Sequence, residues 1–275
     1  GANGDEGALG ILRAGETSNQ TTLVFKYTAQ GLGHGHYDKL GYLLYDGDTE
    51  VMQDYGSARW VNIDQKGGGR YLKENKTWAK QTVAHNTLVI DKTSHFNGKY
   101  EMANKHHSEQ VFFNTENLAA QTIGAVENHA YDDAELFRIL ILWEDDFFKN
   151  PVVIDYFSVA SENTHTYDMP YQYAGQIMTQ NFDYSISEPT VMGDSHGYQH
   201  LFSEAKAQAE ESIQMNWFKD NKFYTLTTES EAGDQIILAR VGANDPSFNL
   251  RRDALLIHRK ENKDNSHFVS IIENH

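Results

Sequence analysis

Turn-forming residues recur about every 8–12 positions along this chain, and the intervals between them hold short apolar, β-branched or aromatic runs. Three pairs of runs are separated by only a few polar residues, which is typical of β-hairpins: ALGILRAG with TTLVFKYT, the two halves of GYLLYDGDTEVMQDYG, and the two halves of SIQMNWFKDNKFYTLTTES. In the last pair Ile213, Met215 and Trp217 occupy every second position, which places them on one face of a strand. This spacing predicts an all-β fold, a large antiparallel β-sandwich.

The other apolar runs extend the same pattern over the whole chain. Further strands are predicted at HNTLVID, EQVFFNTE, LFRILILWED, PVVIDYFSVAS, DQIILARVGA, DALLIHRK and HFVSIIENH. Only SEAKAQAEES, from Ser203 to Ser212, resembles a helix, and it is short. With 4 prolines and neither a repeat nor a linker, the sequence predicts one domain over residues 1–275.

Composition excludes several classes of function. The formal net charge is −16 and no basic run offsets it, so the surface repels nucleic acid and anionic membranes. The chain has no cysteine, which rules out disulfides, thiolate metal sites and a cysteine nucleophile. No segment approaches the roughly 18 consecutive apolar residues of a membrane-spanning helix.

Two histidines lie two residues apart in the segment QGLGHGHYDKLGYLLYDGD, at His34 and His36. On an extended segment both side chains point to one face, so the pair could be directed at a metal or a catalytic centre. The alternative is a polar turn that happens to contain histidine.

Asp54 and His85 are the other candidate ligands. Asp54 ends the following strand, where a simple ion pair with Arg59 is the alternative interpretation. His85 begins a strongly apolar strand, where a core histidine bonded to a backbone carbonyl is an equally good interpretation. Two histidines and one carboxylate, with no sulfur, would suit zinc with an open fourth position.

A long segment, Asp64–Lys80, interrupts the strands and is rich in Gly, Lys and Asn. Long loops of this kind are usually either functional or disordered. The segment carries two large aromatic residues, Tyr71 and Trp78, which are uncommon in disordered segments. We therefore expect a functional loop.

Three stretches carry a resemblance to a known family: GHGHYDKLGYLLYDGDTEVMQDYGSARW, GGGRYLKENKTWAKQTVAHNTLVID and THTYDMPYQYAGQ. They are similar to the C-terminal β-domain of heparinase II/III-type polysaccharide lyases, and in particular to the exolytic oligoalginate lyases of polysaccharide lyase family 17. The similarity runs from about Leu9 to the C-terminus. It implies a heparinase II/III-like β-sandwich and cleavage of alginate, a 4-linked uronate chain, by β-elimination.

The resemblance also implies roles for individual residues. One zinc ion, mainly structural, is expected on His36, Asp54 and His85, which are 18 and 31 positions apart as in the family pattern. Tyr71, which follows the triple-glycine run, is implied to be the catalytic acid/base. His34 and Arg59 are implied to be active-site groups near the substrate carboxylate.

Enzymes of this type are expected to have an N-terminal α/α-toroid that completes the cleft, and nothing in this sequence resembles it. The sequence therefore predicts a C-terminal part that binds zinc but alone has little or no lyase activity. Its expected partners are alginate oligosaccharides and the toroid domain of the same secreted or periplasmic bacterial enzyme, with a homodimer left open. The alternatives are a lyase for another uronan, such as heparin or heparan sulfate, and a non-catalytic zinc-containing carbohydrate-binding domain.

Overall fold

A computed structural model describes residues 7–15, 20–30, 34–56, 71–209 and 211–275. Within these ranges the backbone is mostly antiparallel β-strand, as predicted. The strands are β1 Leu9–Ala14, β2 Thr21–Lys26, β3 Tyr42–Asp46, β4 Thr49–Met52, β5 Val89–Ile90, β6 Glu109–Asn114, β7 Ala120–Tyr131, β8 Ala134–Trp143, β9 Val152–Ser161, β10 His165–Tyr171, β11 Gln176–Gln180, β12 Ser185–Val191, β13 Leu201–Gln208, β14 Ile213–Lys219, β15 Lys222–Thr228, β16 Gln235–Val241, β17 Ala254–Lys263 and β18 Ser266–Asn274.

Helical structure in the described residues is confined to short turns. One is a π-helix at Asn75–Ala79, and one is a single α-helical turn, α1, at Tyr100–Ala103. Three 3₁₀ turns lie at Thr82–Ala84, His95–Gly98 and Tyr198–His200. No helix of the described chain is long and apolar enough to cross a membrane.

The strands form three antiparallel sheets. The first has the order β1-β2-β3-β4, the second β12-β13-β16-β17-β10-β5, and the third β11-β14-β15-β18-β9-β8-β7-β6. The three predicted hairpins are confirmed as β1–β2, β3–β4 and β14–β15. The β3–β4 pair has a register shift between Leu44 and Tyr45. The turn between β14 and β15 is formed by Asp220 and Asn221, both in the left-handed region that this tight turn requires.

The six-stranded sheet buries apolar side chains on both of its faces, because alternate residues of a strand point in opposite directions. Along β16, Ile236 belongs to the large core that also holds residues of the eight-stranded sheet, such as Leu140 and Phe157. Ile237 and Ala239, on the other face, belong to a second core. The six- and eight-stranded sheets therefore share one core as a β-sandwich, and the other face of the six-stranded sheet is also covered, by the second core.

The second core is covered by the chain just before β5. Trp78, in the π-helix, is fully buried there and meets Tyr55 edge to face at 5.6 Å between ring centroids. Val83 and Ala84 of the following 3₁₀ turn are also buried in it. This packing fixes the segment that leads into His85, so the later part of the predicted loop is a packed element of the fold.

One predicted element is wrong. In the described residues the helix predicted at Ser203–Ser212 is not formed, because Ser203–Gln208 lies in β13, hydrogen-bonded between β12 and β16. The strand begins two residues earlier, at Leu201, and alternates buried and more exposed residues, with Ala205 and Ala207 on the buried side. Pairing on both edges outweighs the helix propensity of Ala, Glu, Lys and Gln in this segment.

Candidate metal centre

Four side chains that can ligate a metal come together beside the four-stranded sheet: His36, Asp38, Asp54 and His85. One ligand atom from each lies within 4.8 Å of every other. The rings of the two histidines are tilted by 40° to each other, with centroids 5.0 Å apart. His36 and Asp38 lie between β2 and β3, Asp54 follows β4, and His85 follows the 3₁₀ turn before β5. The group thus joins three separate parts of the chain.

The orientation of His85 is fixed by a backbone contact. Its Nε2 lies 3.0 Å from the carbonyl oxygen of Ala79, and that oxygen can only accept a hydrogen bond, so Nε2 carries the proton. Its Nδ1 is buried and has no hydrogen-bond partner among the described residues, although Oδ1 of Asp54 is 3.1 Å away. A neutral imidazole would direct the Nδ1 lone pair at this carboxylate. A cation between them would satisfy both atoms.

The electrostatics favour the metal-binding forms of His36 and Asp54, neutral imidazole and ionised carboxylate respectively. Burial opposes protonation of His85, but the charge of Asp54 outweighs it and raises the pKa of this imidazole. Burial, together with the nearby His85, lowers the pKa of His36 to about 4. Burial alone would raise the pKa of Asp54, but the nearby charge of His85 outweighs it and the pKa is lowered. Asp54 also accepts a hydrogen bond from the backbone N–H of Gly56 at 2.9 Å.

The glycine between the two histidines has a steric role. A Cβ on Gly35 would lie only 1.3 Å from the carbonyl oxygen of Gln30, so no other residue fits without moving the backbone. The side chain of Gln30 donates a hydrogen bond to the carbonyl of Gly35 at 2.8 Å and closes this contact. The motif therefore holds His36 at a defined place next to β2.

Polar residues around His85 attach its segment to the neighbouring strands. The amide nitrogen of Asn86 donates to the carbonyls of Tyr42 and Gln53, at 3.1 and 3.0 Å, and its oxygen accepts from the N–H of Gln172. Thr87 donates to the carbonyl of Lys39 at 2.6 Å. These bonds hold His85 against the start of β3 and the end of β4, where Asp54 follows.

The three predicted zinc ligands, His36, Asp54 and His85, thus lie in one cluster, and two nitrogen and two oxygen donors are a set that zinc accepts. Sequence reasoning missed the fourth member, Asp38, although it lies two residues after His36. His34 is exposed and is not part of the group. The two parts of the H-x-H pair therefore face different surroundings.

Two predicted substrate groups are described differently by the structure. Tyr71 is 84% exposed, so its side chain is available on the surface. Arg59 and the triple-glycine run lie outside the described residues. Because Arg59 is not described, the alternative interpretation of a simple Asp54–Arg59 ion pair stays a prediction.

The sequence as a whole matches the family model described as heparinase II/III-like, C-terminal, over residues 1–267. The chain belongs to this family. The family resemblance predicted from the motifs around His36 and His85 is therefore confirmed.

Two curated relatives of this family member are named for alginate. An exo-oligoalginate lyase of Saccharophagus degradans is 41% identical over 282 aligned positions, and an alginate lyase of Stenotrophomonas maltophilia is 41% identical over 278. Both alignments include the whole of this chain. The chain spans 38% and 37% of the lengths of the two relatives.

Solved structures support the fold of this heparinase II/III-like domain. A heparinase III gene product superposes with a TM-score of 0.67 at 14% identity, over 98% of this chain and 35% of that one. A heparan sulfate lyase from Pedobacter heparinus gives a TM-score of 0.64 at 16% identity, with the same coverage. At such identities the likeness concerns the fold, and it confirms the predicted heparinase-like β-sandwich.

Proposed function

We propose that this chain is the zinc-binding β-domain of an alginate lyase that cleaves oligoalginate exolytically by β-elimination. The observation that carries the proposal is the 41% identity with an exo-oligoalginate lyase over the whole chain. The His/Asp cluster supports it, because it contains all three residues expected to bind zinc. Since the chain spans 38% of that relative, we propose that an α/α-toroid domain of the same enzyme supplies the rest of the cleft.

The reaction defines what the side chains have to do. Elimination breaks the C5–H and C4–O bonds of a uronate and forms a C4–C5 double bond, while a base takes the C5 proton and the departing C4 oxygen receives one. The C5 proton is weakly acidic, because the adjacent carboxylate is already negative. Charge that builds on this carboxylate must be stabilised by positive or hydrogen-bond-donating groups.

We assign Tyr71 to the proton transfers, and His34 and Arg59 to the substrate carboxylate. The high exposure of Tyr71 and the exposure of His34 support the assignment, since groups that meet substrate cannot be enclosed in the core. The positive charge of Arg59 would offset the net charge of −16 locally, which an anionic substrate requires.

Zinc on His36, Asp54 and His85 would cross-link the segments around β2, β3, β4 and β5, and its role would be mainly structural. His85 ends the packed segment that starts near Tyr71. Fixing His85 therefore fixes one end of the segment that carries the proposed catalytic tyrosine.

The proposal is tested with a chimera. This chain replaces the matching region of the Saccharophagus degradans exo-oligoalginate lyase, and formation of unsaturated uronate is followed by ultraviolet absorbance on alginate oligosaccharides and on heparan sulfate. We expect activity on alginate alone. A Tyr71→Phe chimera should lose about 10²–10⁴-fold in kcat, the usual value of general acid–base catalysis.

The matched control is Tyr184→Phe, at a tyrosine that is 43% exposed in the segment between β11 and β12. It should leave kcat unchanged. A folded chimera that binds zinc but cleaves neither polymer would refute the lyase assignment and leave a carbohydrate-binding domain. Activity on heparan sulfate instead would refute the alginate specificity. Equal kcat in the Tyr71→Phe chimera would refute only the role of the tyrosine.

We also propose that the enzyme is secreted or periplasmic, because alginate oligomers are polyanions that do not cross a bilayer unaided. Detection of the protein by antibody in the periplasmic or culture fraction, together with an exported marker, would support this location. Its recovery with cytoplasmic markers would contradict it.

A further inference from the structure

The eight-stranded sheet has an apolar surface on the face that points away from the large core. On β8, Leu136, Leu140 and Leu142 are completely buried in that core, and the residues between them point outwards and stay partly exposed. β9 and β18 alternate in the same way. The outward residues at the centre of these three strands are all apolar or aromatic: Ile139, Ile141, Ile154, Tyr156, Val269 and Ile271.

The strand register makes these side chains neighbours in two rows. Ile154 of β9 lies directly beside Ile141 of β8 and Ile271 of β18, and Tyr156 is flanked in the same way by outward residues of both strands. Towards the edge of the sheet, the ring of Phe112 lies over the neighbouring glycine of β7 and continues the second row. Neither row contains a charged side chain. The result is one contiguous apolar surface.

The other half of the same face is polar. On β14 and β15, Gln214 donates a hydrogen bond to Thr227 at 3.3 Å, and Asn216 donates one to Thr179 of β11 at 2.7 Å. Polar side chains of this kind are typical of a sheet face that meets water. A contiguous apolar surface beside them is instead typical of a contact with another protein.

The apolar surface and the candidate metal centre lie on opposite sides of the eight-stranded sheet. Arg138 points inwards from β8 and donates to the carbonyls of Leu40 and Asn86, in the two segments that contain Asp38 and His85. A toroid domain that completes a cleft at the candidate site is needed on this inner side. The outer face is therefore free for a different partner.

We propose that the apolar surface binds the same surface of a second copy of this chain, in a two-fold symmetric dimer. Sheets pack face to face in this way in β-sandwiches, about 10 Å apart. At about 4.8 Å between strands and about 3.3 Å per residue, a face of eight strands covers roughly 800 Å², which is what each partner buries in a standard interface.

The distribution of charge also fits a second copy. Two chains of net charge −16 repel each other unless their charges lie away from the contact. The apolar surface has no charge at its centre, and the polar half of the face forms a rim around it, as in other protein interfaces. Both candidate metal centres then face away from the contact.

Sedimentation velocity of this chain at micromolar concentrations tests the proposal. The expected species has twice the mass of one chain, which is 31.3 kDa. Ile154→Lys should raise the dissociation constant of the dimer about 100-fold or more, because two-fold symmetry places the unpaired charge in the contact twice. The matched control is Ile186→Lys, at an isoleucine that is 79% exposed on β12 of the six-stranded sheet, and it should leave the dimer unchanged.

A cross-link tests the same contact with a milder substitution. Because the chain has no cysteine, Ser158→Cys introduces a single thiol on the outer face, beside Phe137 of β8 and His267 of β18. A long, flexible bis-maleimide should join two copies of this variant. It should not join two copies of Ser185→Cys, whose thiol lies on β12.

The outcomes decide between the possible occupants. A monomer at every concentration, or a dimer that both Ile154→Lys and the Ser158→Cys cross-link show to lie elsewhere, would overturn the proposal. A monomer that instead binds the remaining part of the Saccharophagus degradans exo-oligoalginate lyase, through a contact that Ile154→Lys weakens, would assign the surface to another domain of the enzyme and also overturn the dimer. The proposed lyase function depends on none of these results, since the chimera tests it separately.

Discussion

Arg138 provides a quantitative test of how the site is attached to the sandwich. This β8 residue is completely buried and forms a two-pronged ion pair with Asp155 of β9, at 2.8 and 2.5 Å. Its other terminal nitrogen donates to the carbonyls of Leu40 and Asn86, at 2.7 and 2.6 Å. Those carbonyls belong to the two segments that contain Asp38 and His85. One guanidinium thus connects the eight-stranded sheet to both parts of the candidate metal centre.

Replacing Arg138 with Met keeps the aliphatic volume and removes all of these bonds. Breaking a buried ion pair costs about 3–5 kcal/mol, because the remaining carboxylate of Asp155 is left without a counter-charge. Each carbonyl that loses its donor adds about 1 kcal/mol or more. The expected loss is therefore about 5–7 kcal/mol, a large part of the roughly 5–15 kcal/mol that stabilises a typical domain. At about 2–4 °C per kcal/mol, Tm should fall by at least about 10 °C.

Urea unfolding followed by tryptophan fluorescence, with Tm from calorimetry, measures this loss. The control is Arg240→Met, whose partner Glu204 lies at 2.6 Å but where both side chains are about 40% exposed. An exposed pair of this kind is worth less than about 1 kcal/mol. Adding Asp155→Asn to Arg138→Met should recover part of the stability, since it removes the buried charge but leaves the two carbonyls unpaired. Equal losses for Arg138→Met and Arg240→Met would refute the reasoning.

Two further predictions concern histidines. His85→Ala should lower zinc content and Tm together, because a metal bound only by the folded state adds about 2.7 kcal/mol at 100 times its Kd. The control is His267→Ala, at a partly exposed histidine outside the cluster. An unchanged melting curve for His85→Ala would refute the structural role of the metal. Burial opposes protonation of His165, but its bonds to Asp91 and Asp133, at 2.7 and 3.1 Å, outweigh burial and raise its pKa. The stability from this contact is full below the unfolded-state pKa of about 6.5 and is lost as pH rises through the higher folded-state value, so His165→Gln should lower Tm at pH about 5.5 and not at pH about 9. A Tm difference of equal size at both pH values would contradict this.

The strands were predictable where alternation and turn chemistry coincide. The hairpin β14–β15 is an example, because the buried Met215 and Trp217 alternate with less buried residues and Asp220-Asn221 form the turn. β13 was not predictable in the same way. Its alternation rests on small residues, Ala205 and Ala207, which pack in a strand only because β12 and β16 flank it. Local propensity favours a helix there, and only the tertiary partners decide otherwise.

For the candidate site, the sequence predicted donors but not their surroundings. His36, Asp54 and His85 followed from family-like motifs, and the structure brings them together. Asp38 stands inside the same motif, yet nothing in the sequence distinguishes it from an acidic residue on the surface. Its burial depends on packing beside Lys26, twelve positions earlier, and on the sheet that closes over both. Burial and unsatisfied acceptors are properties of the folded chain alone.

The polar residues beside the ligands explain why the cluster is formed by the fold itself. Asn86 bonds to Tyr42 and Gln53, and Thr82 donates to the carbonyl of Tyr37 at 2.6 Å, so the segments of His36, Asp54 and His85 are joined without any metal contact. A metal there would add to a junction that side-chain-to-backbone bonds already define, which lowers the entropy lost on binding. The GHGH and HNTL segments supply the residues of this junction: Gly35, where a Cβ would overlap the carbonyl of Gln30, and the Asn86 amide and Thr87 hydroxyl, which donate to backbone carbonyls.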